Sequence, residues 1–237
     1  MALRKARFMF VYPLAIGLFL SLHQDERSIR LGIWFVLAGE LVRLWADGYV
    51  GHRKVNRTER RQGEPKIGTL ITAGPYAYVR NPLYVGTFLI GLGFCLIAKS
   101  LWLILGALVC FLAVYPKKAA EEERTISGEW GEQFDAYRKR VHAWFPRLRP
   151  YQDRVGQWSW EGIYASQEVK TVVWLVVILT ALYLREEWML EHAPLRWKHV
   201  VFLSGAVGLI GFDLGTEWMR LGRRATTERS QKLSAAA

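Results

Sequence analysis

Cysteine is nearly absent from the chain. Cys95 and Cys110 are the only two in 237 residues. Both sit inside apolar runs without metal-ligand spacing, which leaves them as small packing residues. No catalytic cysteine arrangement, Ser–His pair or metal-spaced cluster is evident, and there is no internal repeat. A signal-type cleavage site is also missing: Arg4, Lys5 and Arg7 precede an apolar run, but no small-x-small pattern follows Leu22. The first run is therefore expected to be retained as a span. Acid is scarce relative to base, with 21 Asp and Glu against 32 Lys and Arg, a formal net charge of +11. That excess fits a soluble basic protein or a membrane protein with cationic loops, and the distribution of the charge decides between them.

Long apolar runs are plentiful. Six stretches are almost free of charge: 8–22, 29–44, 83–98, 101–115, 169–184 and 200–214. Each is at the short end for a span, where ~17–25 residues are usual, so the helices must extend into their flanks. Six such runs cannot all be core helices of so small a soluble protein. The expected fold is all-α, a polytopic membrane helix bundle of about six transmembrane helices. Residues 1–150 form a four-span core with a further helix, and residues 151–237 add a membrane hairpin and a tail.

Of the 32 Lys and Arg, 25 fall in the N-terminus, the 47–82 loop, the 116–170 segment and the tail. The opposite loops hold Arg27, Arg30, Lys99, Arg185, Arg196 and Lys198. This asymmetry predicts both termini in the cytoplasm. It also explains the charge without a nucleic-acid partner. Asn56-Arg57-Thr58 matches a glycosylation acceptor but falls on the cytoplasmic side and is discarded.

Within the spans, Glu40 and Arg43 stand one helical turn apart. They are either a functional intramembrane pair or a surface-seeking Arg43 beside Trp45 with Glu40 as its partner. The sequence leaves both open. The stretch that organises the chain is 68–86, GTLITAGPYAYVRNPLYVG. Gly74-Pro75 marks a turn with Tyr76 directly behind it. Asn81 is a good N-cap and Pro82 suits the first helical position. Arg80 beside a helix N-terminus at the membrane surface favours an anion. Lys99-Ser100 alone separates two runs, which demands a tight antiparallel helical hairpin, and Pro116 marks the end of the fourth span. Beyond it, Lys118 and Glu122 share a helix face; taken alone they are a solvated i,i+4 pair. In residues 130–148 the aromatic and apolar positions Trp130, Phe134, Tyr137 and Val141 recur at helical spacing. They describe an amphipathic helix at the interface or closing over the ends of the spans. Trp158 and Trp160 suit an interfacial anchor. Gly205, Gly208, Gly211 and Gly215 lie close to one face of the sixth run, a surface for close packing within the protomer or in a homo-oligomer.

The 68–86 string, then Glu121-Glu122-Glu123, then WGEQFDAY resembles the integral-membrane methyltransferases, the isoprenylcysteine carboxyl methyltransferase and phospholipid methyltransferase group. Their pattern is a Gly-x-Tyr turn, Arg-His-Pro-x-Tyr-x-Gly opening a span, a helical hairpin, a paired Glu and Phe-Gly-x-x-Tyr-x-x-Tyr. The resemblance covers roughly residues 31–148. It implies S-adenosylmethionine at the cytoplasmic ends of the helices, beneath a helical cap. Gly68, Thr69, Leu70, Ile71 and Tyr76 would lie along it, and Asn81, Pro82, Leu83 and Tyr84 would form the second wall. Glu122 would reach a polar cofactor group, while Lys118, with Arg80 nearby, would face the acceptor. Three departures stand out: Asn81 where His is usual, Trp130 and Phe134 for Phe and Tyr, and Lys118 where the isoprenylcysteine enzymes carry Arg. A lysine offers no planar fork to a carboxylate.

Methyl transfer from a sulfonium is an in-line displacement on an activated donor, so positioning supplies most of what is required. An amine acceptor would need a base, for which His52, Glu40 and Glu123 are candidates. The acceptor implied is lipophilic or amphiphilic, in contact with membrane lipids. Two rival readings are a membrane sterol or enone reductase binding NADPH, and a non-catalytic membrane scaffold. The reductases resemble Arg-His-Pro-Asn-Tyr-x-Gly-Glu, where this chain has Leu83 and Thr87 at the Asn and Glu places.

Overall fold

The computed structural model describes residues 26–50, 69–166, 168–185, 194, 196–213 and 215. Every regular element among them is helical. These are α1 (Glu26–Val50), a 3-10 turn (Gly74–Ala77), α2 (Pro82–Ile97), α3 (Leu101–Trp130), α4 (Glu132–Arg140), α5 (Trp160–Ser166), α6 (Glu168–Arg185) and α7 (197–213). The chain divides into two compact units, Met1–Glu168 and Val169–Ala237. Five of the six apolar runs fall on α1, α2, α3, α6 and α7. The run 8–22, together with His52 and Gly68, lies outside the described residues.

In the first unit, glycine sets how closely α1 meets α2. A Cβ on Gly32 would stand 2.5 Å from the carbonyl oxygen of Gly93, and one on Gly39 would stand 2.6 Å from that of Gly86. The pairs 32–93 and 39–86 make the helices antiparallel and bring backbone onto backbone, as small residues allow in membrane helices. The hairpin into α3 is as tight as Lys99-Ser100 demands. Lys99 takes a positive φ of 50°, and the Ser100 side chain caps α3 by accepting from the Leu103 N–H.

At 30 residues, α3 is about 45 Å long, well beyond the ~30 Å hydrocarbon core of a bilayer. Pro116 lies inside the helix, which continues to Trp130. Among the described residues α3 is the one helix long and apolar enough to cross a membrane; α2 is apolar but shorter. Trp34 and Leu41 on α1 and Trp102 and Val109 on α3 are each at least 65% exposed. Apolar surface on this scale marks contact with lipid or a partner.

The amphipathic helix expected over residues 130–148 is interrupted. Gly131 adopts φ 49°, a conformation that suits glycine, so α3 ends at Trp130 and α4 starts at Glu132. The expected apolar face nevertheless assembles across the break. Phe134, Tyr137 and Val141 are buried with Ala77 and Tyr151, and Trp130, Ile126, Leu70 and Tyr78 pack around them.

Within the second unit, α6 and α7 are tied at two levels. Asp213 accepts from Trp174 Nε1 at 3.2 Å and pairs with Lys170 Nζ at 3.5 Å. Toward the other end, Lys198 donates to the Tyr183 hydroxyl and the Tyr183 ring meets Phe202. Around Gly205, Gly208, Gly211 and Gly215, nothing among the described residues lies within 4 Å of an added Cβ.

Candidate functional site

After α4 the chain loses regular structure and runs back, antiparallel, along residues 72–80. The Arg80 N–H donates to the His142 carbonyl at 2.9 Å, Arg147 N–H to Tyr78 at 3.0 Å and Tyr151 N–H to Ala77 at 2.9 Å. Farther along, the Thr72 and Ala73 N–H groups both donate to Val155. The Thr72 hydroxyl donates to the Asp153 carbonyl and accepts from Val155 N–H. Residues 141–155 are therefore a strap stitched to the motif loop, and their backbone groups find partners there instead of in a helix. The Tyr137 hydroxyl closes the arrangement by donating to the Tyr76 carbonyl at 2.6 Å. Burial raises the Tyr137 phenol pKa, with Arg80 opposing and Glu123 adding to the shift, so it stays protonated and keeps donating. Apart from Val141 at its start, no sequence signal singled out the strap, because backbone-to-backbone pairing does not depend on side-chain type.

The corner at the start of α2 holds an anion, and that anion is the chain's own Glu123. Arg80 donates from Nε to Oε1 at 3.0 Å and from Nη2 to Oε2 at 3.2 Å, a fork that matches the carboxylate plane. Its Nη1 donates to the carbonyls of Arg138 and Val141. The expected Asn81 cap is corrected at the level of the side chain. Asn81 occupies the N-cap position, with Pro82 following, but makes no side-chain capping bond. Its amide instead donates to Glu123 Oε1 and to the Ala143 carbonyl, because these acceptors lie within its reach on the strap side.

Glu122 faces elsewhere. Successive helical residues are turned by about 100°, so the paired glutamates diverge. The Tyr84 hydroxyl donates to Glu122 Oε1 at 2.7 Å. Lys118 Nζ stands 3.9 Å from the same oxygen and 5.4 Å from the centre of the Tyr84 ring. Around them are the Tyr115 ring, edge-on to Tyr84, and the Trp144 ring, stacked on it. Phe111 touches both Tyr115 and Trp144. Of the residues singled out by sequence, Tyr84, Lys118 and Glu122 thus come together, with Arg80 and Asn81 in the adjoining corner. Pro82 is buried and Leu83 half-buried. Thr69 is exposed, Leu70 packs against the Phe134 cluster, and Ile71 lies against Gly156. Phe111, Tyr115 and Trp144 were not singled out by sequence, since aromatics in an apolar run read equally well as packing.

Arg43 is engaged with a different set of partners in the first unit. It donates to Glu168 at 2.5 Å and to the Thr87 hydroxyl at 2.5 Å, with Glu40 at 3.9 Å. Glu168 is its main partner, 125 residues away in sequence, a distance no local pattern can reveal. Among the described residues, no group of three His, Cys, Asp or Glu is placed to hold a metal.

Residues 29–133, which carry both corners of this arrangement, match the family model of phospholipid methyltransferase. The cobalt-zinc-cadmium resistance protein CzcN of Cupriavidus metallidurans is 33% identical over 150 residues, 62% of each chain. The nickel-cobalt-cadmium resistance protein NccN of Alcaligenes xylosoxydans xylosoxydans is 32% identical over 120 residues, 51% of this chain and 50% of the relative. The protein-S-isoprenylcysteine O-methyltransferase of Xenopus laevis is 25% identical over 133 residues, 54% of this chain and 46% of the enzyme. The matches thus span about half to three-fifths of these relatives' own lengths. The loop, the hairpin and the paired glutamates that build the site are the matched part, and over that part the chain is similar to the membrane methyltransferases of the phospholipid and isoprenylcysteine group.

Proposed function

We propose that the chain transfers a methyl group from S-adenosylmethionine to a lipophilic or amphiphilic acceptor at the membrane surface. The observation that carries this reading is the Tyr84–Glu122–Lys118 group, inside the family match and just past the apolar half of α3. The donor set suits the cofactor. Lys118 already places a cation over the Tyr84 ring, and an aromatic face beside a carboxylate is a favourable setting for positive charge. Glu122 would accept hydrogen bonds from the cofactor's hydroxyl or amino groups, and the loop from Gly68 to Tyr76 would lie along it. When bound, S-adenosylmethionine supplies a methyl already activated on a sulfonium. The protein's part is to hold the acceptor in line and exclude competing nucleophiles. Lys118 would orient an anionic acceptor head without demanding planar geometry. Arg80 and Glu123, spent on one another, would set the position of the helix start.

In this reading the helices are six, both termini are cytoplasmic, and the acceptor enters laterally from the bilayer. Titration calorimetry of the purified protein against S-adenosylmethionine, S-adenosylhomocysteine and NADPH tests it. Binding of the first two supports methyl transfer, and binding of NADPH alone would establish the reductase reading instead. Transfer of labelled methyl into a membrane lipid extract would then identify the acceptor class. The two relatives named for metal resistance favour a physiological setting in which this methylation supports growth in cobalt, zinc or cadmium. Comparing deletion strains carrying the wild type or Glu122→Ala in those salts tests whether such a role needs the site.

A further inference from the structure

We infer that the tip of the strap, residues 144–149, is a membrane-inserting element that docks on anionic lipid of the leaflet it faces. Phe145 is 76% exposed and Leu148 is fully exposed, although both follow Trp144, which turns inward. Trp144 fixes the depth of the tip. Its ring is 5.7 Å from Phe111, and Phe111 lies within the apolar half of α3, a full turn before Tyr115. Next to Phe111 along α3, Leu108, Val109 and Leu112 are exposed, the surface this helix presents to lipid. The tip's two bare apolar side chains therefore follow within four residues of a side chain packed on the apolar half of α3, the helix long and apolar enough to cross a membrane.

Charge selects the kind of surface. Residues 138–149, RKRVHAWFPRLR, contain Arg138, Lys139, Arg140, Arg147 and Arg149 and no acidic residue. Arg138, Lys139, Arg140 and Arg149 are exposed. Apolar tips framed by bases are the composition that seats on anionic headgroups with the apolar side chains below them. A soluble acidic protein would meet the bases equally well, but it would not match an apolar tip anchored through Trp144 on the apolar half of α3. Because Trp144 also stacks on Tyr84, lipid at the tip is coupled directly to the wall of the candidate site.

The test uses the full chain with Cys95→Ala and Cys110→Ala, reconstituted in phosphatidylcholine bilayers with or without phosphatidylglycerol. A nitroxide is attached at Leu148→Cys and, in separate samples, at Phe145→Cys or the exposed strap position Gln152→Cys. Collision with oxygen reports the hydrocarbon, and collision with a water-soluble nickel chelate reports the aqueous phase. The expected result is a label at 148 and 145 that meets oxygen in preference to nickel, with the reverse at 152. Arg149→Gln should lower the ratio of inserted to free tip about fivefold, equivalent to ~1 kcal/mol per basic residue at an anionic surface. A nickel-accessible label at 148 and 145 in both lipid mixtures overturns the inference. So does a label shielded only after cytosolic protein is added, which would make the partner a soluble one. Insertion indifferent both to phosphatidylglycerol and to Arg149→Gln overturns the anionic-lipid assignment. None of these readouts depends on methyl transfer, so failure here and failure of the proposed activity are separate results.

Discussion

Adjacent side chains on one helix carry opposite expectations. Glu123 is bound through both oxygens to Arg80 and sits with it largely out of solvent, at 16% and 13% exposure. Hydrogen bonds to charged groups contribute about 1.5–3 kcal/mol, so Glu123→Ala should lower the thermal midpoint in detergent clearly. Glu122, half-exposed, should matter little for folding. Glu122→Ala should instead weaken S-adenosylmethionine binding at least tenfold by calorimetry, by the same magnitude; unchanged binding would return Glu122 to a solvated ion pair. Lys118→Met should cut turnover severely while leaving that affinity nearly intact, with Lys117→Met as the mild control. Tyr137 gives a pH signature. Its raised pKa means the folded state retains a proton that the unfolded chain releases near pH ~10, so stability falls as pH rises beyond that point. Tyr137→Phe should lose stability at neutral pH, with its hydrogen bond to Tyr76 gone, yet show a shallower alkaline decline in the same melting assay.

The elements differ in how legible they were. The helical hairpin at Lys99-Ser100 and the helix start at Pro82 could be read directly, because turn and first-turn chemistry is local. Helix contacts could not. The four glycines that fit α1 to α2 are spaced seven apart in each helix, 32 and 39 against 86 and 93, and only the pairing of two distant segments gives the spacing meaning. Gly205, Gly208, Gly211 and Gly215 are the more conspicuous set in sequence because they share a face, yet an added Cβ on any of them would meet nothing within 4 Å among the described residues. The break at Gly131 was missed because the apolar spacing of Trp130, Phe134, Tyr137 and Val141 continues across it. A pair of substitutions separates the two glycine sets. Gly39→Leu would drive a side chain into the Gly86 backbone and Ile90, at an overpacking cost of about 1–3 kcal/mol. Gly208→Leu should leave the thermal midpoint nearly unchanged. An equal loss from Gly208→Leu would mean that the α7 face is a packed surface.

For the whole molecule, the electrostatic argument and α3 bear on the same question. Positive charge is concentrated in segments that a topology with cytoplasmic termini assigns to one side, 25 of 32 Lys and Arg. Positive-inside bias acts on short loops close to the span ends, and the 116–170 segment begins where the apolar half of α3 stops. In that topology the helix would deliver Lys118, Glu122 and Glu123 to that side on a continuous rod instead of a loop, which would fix their height above the bilayer. Lys99 and Gly128 stand near opposite ends of this helix, so they report its direction. In a background with Cys95→Ala and Cys110→Ala, Gly128→Cys should react with a membrane-impermeant maleimide only from the cytoplasmic side, and Lys99→Cys only from the other. Equal labelling of both from one side would mean that α3 does not cross, and the site would lose its place at the end of a span. Opposite labelling with the two sides exchanged would instead keep the span and move the site to the outer face. The charge asymmetry opposes that second outcome, because it would place most of the basic residues on the side from which they are normally excluded.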